Sequence, residues 1–362
     1  MSNSEIRVVP GPANYFSHPG SLQRLSDFFN ADQLSRAVWV YGERALAGAE
    51  PFLPAAFHLP EAKKIRFTGH CSERDVAALA QASGDDRAVV IGVGGGALLD
   101  SAKVLARRLG VPLVAIPTIA ATCAAWTPLS VWYSDAGQAL NFEIFDDANF
   151  LVLVEPRIIL NAPAEYLLAG IGDTLAKWYE AVVLAPQPEA LPLTVRLGIN
   201  GALAIRDVLL ASSETALADQ RRGELSQAFR DVVDAVIAGG GMVGGLGERY
   251  TRVAAAHAVH NGLTVLPQTD KFLHGTKVAY GILVQSALLG QDEVLAQLVQ
   301  AWQRFNLPAT LAALEVDITN RAELDRVIAH TLRPGESIHY LPVTLTPEVL
   351  RAAFEKVEYF SR

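Results

Sequence analysis

A parallel α/β domain followed by an all-α domain is the fold class the sequence predicts. Three observations predict it. Up to about residue 160, short β-branched runs alternate with helical patterns, which implies a parallel sheet with helices on both faces. After Pro163, long Ala/Leu-rich stretches of helical period take over. The chain has 362 residues, too many for one ordinary core, so two domains are expected, residues 1–162 and residues 163–362.

Taken in order, the expected strands are Ile6–Val9, Ala37–Tyr41, Lys64–Thr68, Ala88–Ile91, Pro112–Ile116 and Phe150–Val154. The helices between them are Ser21–Phe29, Ala45–Phe52, Glu73–Ser83 and Leu98–Leu109. The stretch LSVWYSDAGQALNFEIF reads as a hairpin turning at Asp135-Ala136-Gly137. Beyond the boundary the helices are Glu165–Leu184, Leu191–Ala211, Leu225–Val243, Thr251–Leu263, Lys277–Leu289 and Asp292–Phe305. The last 70 or so residues read as helices closing the second domain, with Pro342 and Pro347 punctuating a loop.

Composition narrows the function classes. The chain is 51% hydrophobic and 19% charged, which reads as compact rather than disordered. A net charge of −8 speaks against nucleic acid and anionic membranes as partners. The two cysteines, Cys71 and Cys123, form no CxxC pair, which suits a reducing compartment and excludes a cysteine-based zinc ribbon. The opening MSNSEIRVVP has no apolar signal core, and no run has the length of a membrane span. A cytoplasmic protein acting on a small molecule is the expectation.

The strand Ala88–Ile91 runs into Gly92-Val93-Gly94-Gly95-Gly96 and then ALLDSAKVLARRL. A strand, a glycine turn and a helix N-terminus make a phosphate cradle, because the backbone can approach the anion and free N–H groups point at it. The pattern is not the GxGxxG dinucleotide fingerprint, and a plain tight turn is an equal reading. Asp100 and Lys103 share a face of that helix. They read either as a local ion pair or as Asp100 facing a cofactor.

Three of the eight histidines, His257, His260 and His274, fall in AAAHAVHNGLTVLPQTDKFLHGTKV, among small apolar residues. A buried imidazole needs a partner for each nitrogen, and a metal is one such partner. Asp173 follows Gly170-Ile171-Gly172 and reads as opening the helix DTLAKWYEAVVLA. Two imidazoles and a carboxylate hold a divalent ion with an open coordination position, the pattern of a catalytic site. Spacing leaves His257 with His274, or His260 with His274, as the imidazole pair. The competing reading is hydrogen-bonded core histidines with an ordinary capping aspartate.

The segments GVGGG-x-x-x-D-x-A-K, AIPTIAATCAAWTPLS, APAEYLLAGIGDTLAKWYEA and AAHAVHNGLT…LHGTKVAYG together resemble the glycerol dehydrogenase branch of the metal-dependent, iron-containing type alcohol dehydrogenases. The resemblance runs from about residue 5 to about residue 290. It implies a dehydroquinate synthase-like fold: an N-terminal Rossmann-like domain, a C-terminal helical domain and a cleft between them. It places the metal ligands on Asp173, His257 and His274, with His260 beside them near the nicotinamide. The iron enzymes add a histidine four residues after the aspartate, and here that position is Lys177. Three protein ligands and an open position suit zinc better than iron or nickel. The implied cofactor contacts are Gly94, Gly95, Gly96, Asp100, Thr118, Thr122, Thr127, Leu129 and Tyr133.

Three departures from the family pattern matter. The Lys or Ser that usually follows the glycines is Ala97, which leaves only backbone contacts to phosphate. The acidic residue that binds the ribose hydroxyls in NAD enzymes aligns with Gly42, and Arg44 stands close enough to pair with a 2′-phosphate. This favours NADP(H) over NAD(H), with Glu43 as the residue that takes the acidic role if the alignment shifts by one. The aspartate that binds a substrate hydroxyl in glycerol dehydrogenases is Cys123. A carboxylate there would repel an anionic substrate by an amount on the order of several kcal/mol. The departures therefore point to a 2-oxo acid such as 2-oxobutanoate or 2-oxoglutarate, reduced with NADPH.

Lys277, about one turn after His274, is the candidate anchor for the substrate carboxylate, and Trp126 and Trp132 are candidate walls of the cleft. The alternatives are an NAD-dependent glycerol dehydrogenase, a dehydroquinate-synthase-like lyase and a non-catalytic binding protein. Cys123 and Gly42 speak against the first, the scarcity of Lys and Arg in these motifs against the second, and Asp173, His257 and His274 against the third. Family membership implies a homo-oligomer.

Overall fold

The computed structural model describes residues 6–135 and 137–362. The chain divides into two compact units. One comprises Val9–Pro163 with Asp219–Gly245. The other comprises Ala164–Ala218 and Leu246–Arg362, with the described residues before Val9.

The first unit is built on β1 (Asn14–Ser17), β2 (Ala37–Tyr41), β3 (Lys63–Arg66), β4 (Val89–Gly94), β5 (Leu113–Pro117) and β8 (Leu151–Val154). They form one sheet in the order β1-β8-β5-β4-β2-β3, and every neighbouring pair is parallel. Strands β4, β5 and β8 are buried along their length, as apolar runs covered on both faces must be. Trp39 of β2 is fully buried and meets Phe57 edge-on, with ring centroids 5.1 Å apart. The helix Glu73–Ser83 starts where the Ser72 hydroxyl accepts from the Asp75 N–H and stops at Gly84, whose φ is 72°.

The chain runs outward from β2 to β3, returns to β4 on the other side of β2, and continues to β5. The direction reverses between β2 and β4. The carboxyl ends of strands at such a reversal are where ligands bind in open parallel sheets. Gly42 and Gly94-Gly95-Gly96 lie at those two ends.

Two local expectations change, and a third, the hairpin, holds. Ile6–Val9 is not a strand. Val9 donates its N–H to Gly245 O at 3.2 Å, and Pro10, with no N–H, cannot extend a ladder. The first strand is instead β1, paired with β8 from Asn14↔Leu151 to Ser17↔Val154. The strands β6 (Leu129–Tyr133) and β7 (Ala139–Ile144) form the antiparallel hairpin, with Val131 opposite Phe142. Of its expected turn Asp135-Ala136-Gly137, Ala136 lies outside the described residues. Second, Asp219–Gly245 belongs to the sheet-bearing unit although it reads as helical. The Tyr15 hydroxyl donates to Asp234 Oδ1 at 2.6 Å, and Gln220 Nε2 donates to the carbonyls of Ile159 and Ala162 at 3.2 and 3.1 Å. These partners are distant in sequence, so local periodicity carries no trace of them.

The second unit is helical: Ala164–Leu184, Leu193–Arg222 up to its last turn, Ala255–Leu263, His274–Leu288, Asp292–Phe305, Arg321–Thr331 and Pro347–Phe360. Its core holds Trp302, Tyr280 and Phe354, all fully buried. The Trp302 indole N–H donates to Ala279 O at 3.0 Å, so the one polar atom of that ring is satisfied. Among the described residues no helix is long and apolar enough to cross a membrane.

Candidate functional site

Asp173 does not open a helix. It sits in the middle of Ala164–Leu184, and Gly170-Ile171-Gly172 is a contact surface rather than a break. A Cβ on Gly172 would stand 2.5 Å from Gly275 O, and one on Gly275 would overlap Ala169 O. Only glycine lets these two backbones cross so closely. The crossing sets His274, the first residue of His274–Leu288, against Asp173. Gln285 ties the third helix in: Oε1 accepts from the N–H groups of Ala255 and Ala256 at 3.1 and 3.2 Å, and Nε2 donates to Tyr179 O at 2.7 Å.

This packing brings together the carboxylate and both imidazoles that the family resemblance implies as ligands. Asp173 Oδ1 lies 3.5 Å from His257 Nε2 and 3.4 Å from His274 Nε2. One donor atom from each of the three residues falls within 4.8 Å of the others. Asp173 is buried, while the His274 side chain is 43% exposed, so the site is closed on one side and open on the other. Burial alone would raise the Asp173 carboxyl, but the hydrogen bonds with His257 and His274 outweigh it and hold it well below the usual carboxylate range. Burial would likewise lower His257, but the Glu180 and Asp173 carboxylates raise it to about 9. Two nitrogens and one oxygen, anionic overall when the imidazoles are neutral, fit a divalent metal ion.

His260 is not part of that donor set. Its Nε2 lies 3.0 Å from His274 Nδ1, and its Nδ1 lies 3.0 Å from Asn261 Oδ1. Asn261 Nδ2 donates to Glu336 Oε2 at 2.9 Å, and Glu336 pairs with Arg333. Burial, then the neighbouring His274 and Lys277, holds His260 well below the usual histidine range, so it stays neutral. A neutral His260 accepts at Nε2 and donates from Nδ1. His274 then carries its proton on Nδ1 and presents a lone pair at Nε2.

In the other unit, β4 ends at Gly94, Gly95 is the N-cap, and Gly96 begins the helix Gly96–Leu109. A Cβ on Gly94 would stand 2.8 Å from the Leu98 side chain, and one on Gly95 would stand 2.8 Å from Ile119. No side chain caps this helix end, so its first N–H groups are open to an anion. Thr118 and Thr122 border the turn: Thr118 donates its N–H to Gly94 O at 3.1 Å, and Thr122 Oγ1 is 3.3 Å from the position of a Cβ on Gly96.

Asp100 forms the local ion pair. Its Oδ1 accepts from Lys103 Nζ at 2.9 Å and its Oδ2 from the Val131 N–H at 3.2 Å. Lys103 also donates to Leu129 O at 2.5 Å, so the pair ties the hairpin to the helix. Thr127 donates its N–H to Cys123 O at 3.1 Å, and the Tyr133 ring stacks on His70. Gly42 caps the helix Glu43–Ala49, Arg44 is exposed on it, and Glu43 pairs with Arg66 at 3.2 Å.

Cys123 is half-buried beside Thr122. Lys277 is buried, which lowers its pKa, and its Nζ donates to Thr269 O at 3.3 Å. Trp126 and Trp132 have structural partners: the first donates to Pro10 O at 2.8 Å, the second to Glu143 Oε2 at 2.9 Å.

Sequence reasoning passed over Glu180, Gln285, Asn261 and Glu336. Glu180 had a signal, since it follows Asp173 by seven residues and so shares its helix face. Glu336 had none, because its link to His260 is made only by the fold.

The chain is similar to known proteins along its length. The model of the family "Iron-containing alcohol dehydrogenase" matches residues 12–156. Hydroxycarboxylate dehydrogenase A of Escherichia coli (strain K12) is 79% identical over 360 residues, covering 99% of each chain. A glycerol dehydrogenase of Pseudomonas putida is 33% identical over 356 residues, covering 96% of each. The crystal structure of glycerol dehydrogenase from Schizosaccharomyces pombe superposes with a TM-score of 0.85 at 28% identity, covering 99% of this chain and 92% of that one.

Proposed function

The chain belongs to the iron-containing alcohol dehydrogenase family, and from that premise we propose that it passes hydride between NADPH and a small 2-oxo acid, forming the 2-hydroxy acid. That it is an oxidoreductase of the dehydrogenase class follows from the family; the substrate, the preferred nucleotide and the site residues are our reading. The observation that carries it is the donor triad of Asp173, His257 and His274, closed on its buried side and open at His274. The 79% identical relative is a hydroxycarboxylate dehydrogenase, which supports the substrate class.

Asp173, His257 and His274 would hold one divalent ion, zinc before iron or nickel. Such an ion supplies Lewis-acid polarisation of the substrate's C2 oxygen. The chain's own groups do the rest. Glu180 and His260 hold the imidazoles with their lone pairs turned to the site. The N–H groups after Gly95 bind the cofactor's pyrophosphate, with Thr118 and Thr122 beside them. The proton for the alcohol product would arrive from water or through a relay that includes a ribose hydroxyl and His260. Cys123, if it faces the substrate, would bring no carboxylate to repel an oxo acid. Gly42 brings no carboxylate to the ribose, and the exposed Arg44 would pair with a 2′-phosphate, while Glu43 lies in an exposed ion pair with Arg66.

The relative from Pseudomonas putida favours a second reading, a glycerol dehydrogenase using NAD. Steady-state rates separate the two. Metal-loaded enzyme is given 2-oxobutanoate or 2-oxoglutarate with NADPH and with NADH, and glycerol with NAD. A kcat/KM at least about tenfold higher for an oxo acid than for glycerol, about 1.4 kcal/mol of transition-state preference, is expected. Glycerol with NAD as the better pair would replace our reading with the second.

A further inference from the structure

We propose that Glu180 is the positioning residue of the metal site: it fixes which nitrogen of His257 carries the proton and where the His257 helix begins. The proposal rests on the metal reading given above. Glu180 follows Asp173 by seven residues on one helix, two turns on and on the same face. Its side chain is fully buried. Oε1 accepts the N–H of Ala254 at 2.7 Å and that of His257 at 3.1 Å. Oε2 lies 2.7 Å from His257 Nδ1.

One carboxylate thus does two things. It caps the N-terminus of Ala255–Leu263, where Ala254 offers no side-chain acceptor of its own. It also takes the Nδ1 hydrogen of His257. An ionised carboxylate only accepts, so a neutral His257 must be protonated at Nδ1, and its Nε2 lone pair faces Asp173. Ligand and orienter stand on the same helix, so they move together.

The two roles come apart by substitution. Glu180→Gln keeps the volume and one oxygen for the two backbone N–H groups, but presents an NH₂ that cannot accept from Nδ1. Glu180→Ala removes both. The readouts are the Zn²⁺ Kd, from competition with a chromophoric chelator, and the Tm of the metal-free protein. Glu180→Gln is expected to weaken Zn²⁺ binding about 10–100-fold, the usual cost of losing such a partner, with a smaller loss of metal-free Tm than Glu180→Ala. Glu180→Ala is expected to lower both. Wild-type affinity in Glu180→Gln, or a loss of metal-free Tm as large as that of Glu180→Ala, overturns the proposal. Wild-type protein that takes up no divalent ion overturns the metal reading itself, a result seen before any variant is made.

Discussion

His274 Nδ1 lies 3.0 Å from His260 Nε2, so the histidine at the open side of the donor triad is held by a second histidine outside it. Replacing His260 by Phe keeps an aromatic ring but removes the acceptor, leaving His274 free to turn or to change tautomer. The Zn²⁺ Kd should rise about tenfold or more, and by less than in His274→Ala. An unchanged Kd in chelator competition would mean that His260 does not orient its neighbour.

Metal binding should release a proton. In the metal-free protein His257 is raised to about 9, so it is protonated at neutral pH. The raised pKa makes its contribution to stability full below its unfolded value, about 6.5, and lost as pH rises through 9. Asp173, held below the usual range, contributes above about pH 4 and loses that as pH falls. The metal-free protein is therefore best supported by this pair between about pH 4 and 6.5. The metal needs neutral His257, so its apparent affinity should strengthen up to about tenfold per pH unit from 6.5 towards 9. Calorimetry in two buffers of different ionisation enthalpy should count close to one proton per ion at pH 7.5. A count of zero would contradict the His257 assignment.

The strands and the glycine turn were legible because their signals are local: β-branched runs of strand length, then glycines, then a helix start. The metal residues were legible as a cluster of residue types in sequence. What holds them was not. Gly170-Ile171-Gly172 looked like a break before Asp173, because a glycine's use in a helix crossing depends on the other helix, here at Gly275. Asp100 could be read two ways, since its partner at the Val131 N–H comes from the hairpin. The placement of Asp219–Gly245 rests on Tyr15 and the carbonyls of Ile159 and Ala162, which no window of sequence contains.

Gly42 offers a clean test of nucleotide choice. A Cβ there would meet Ala45 at 3.6 Å and Leu98 at 3.9 Å, ordinary contact distances, and its φ of −85° suits any residue. Gly42→Asp therefore adds charge with little strain. The kcat/KM with NADPH should fall at least about tenfold while that with NADH holds or rises, and Arg44→Ala should lower only the NADPH value. Equal losses with both nucleotides would show that Gly42 does not face the 2′ position.

Cys123→Asp tests the substrate class. The Cys123 carbonyl accepts from the N–H groups of Trp126 and Thr127 at 2.9 and 3.1 Å, backbone bonds that the substitution leaves in place. The new carboxylate should cost an oxo acid about tenfold or more in kcat/KM and leave glycerol less affected. If both substrates respond alike, the side chain at this position does not face the substrate's charge.

Asp100 gives the sharpest contrast between a binding role and a structural one. Both of its oxygens have partners, Lys103 Nζ and the Val131 N–H, and the Lys103 side chain is 2% exposed. Asp100→Ala leaves that buried ammonium without its carboxylate and with Leu129 O as its remaining hydrogen-bond partner among the described residues, a loss of about 3–5 kcal/mol for a broken buried pair. Removing the charge as well should give much of this back, so Asp100→Ala with Lys103→Met should unfold at higher denaturant than Asp100→Ala alone. A contact to cofactor would behave differently. It would raise the KM for the nucleotide, leave the unfolding midpoint near wild type, and show no rescue by Lys103→Met. Unfolding midpoints of the wild type, the two single variants and the double variant, taken without nucleotide, therefore decide between the ion pair and the cofactor contact.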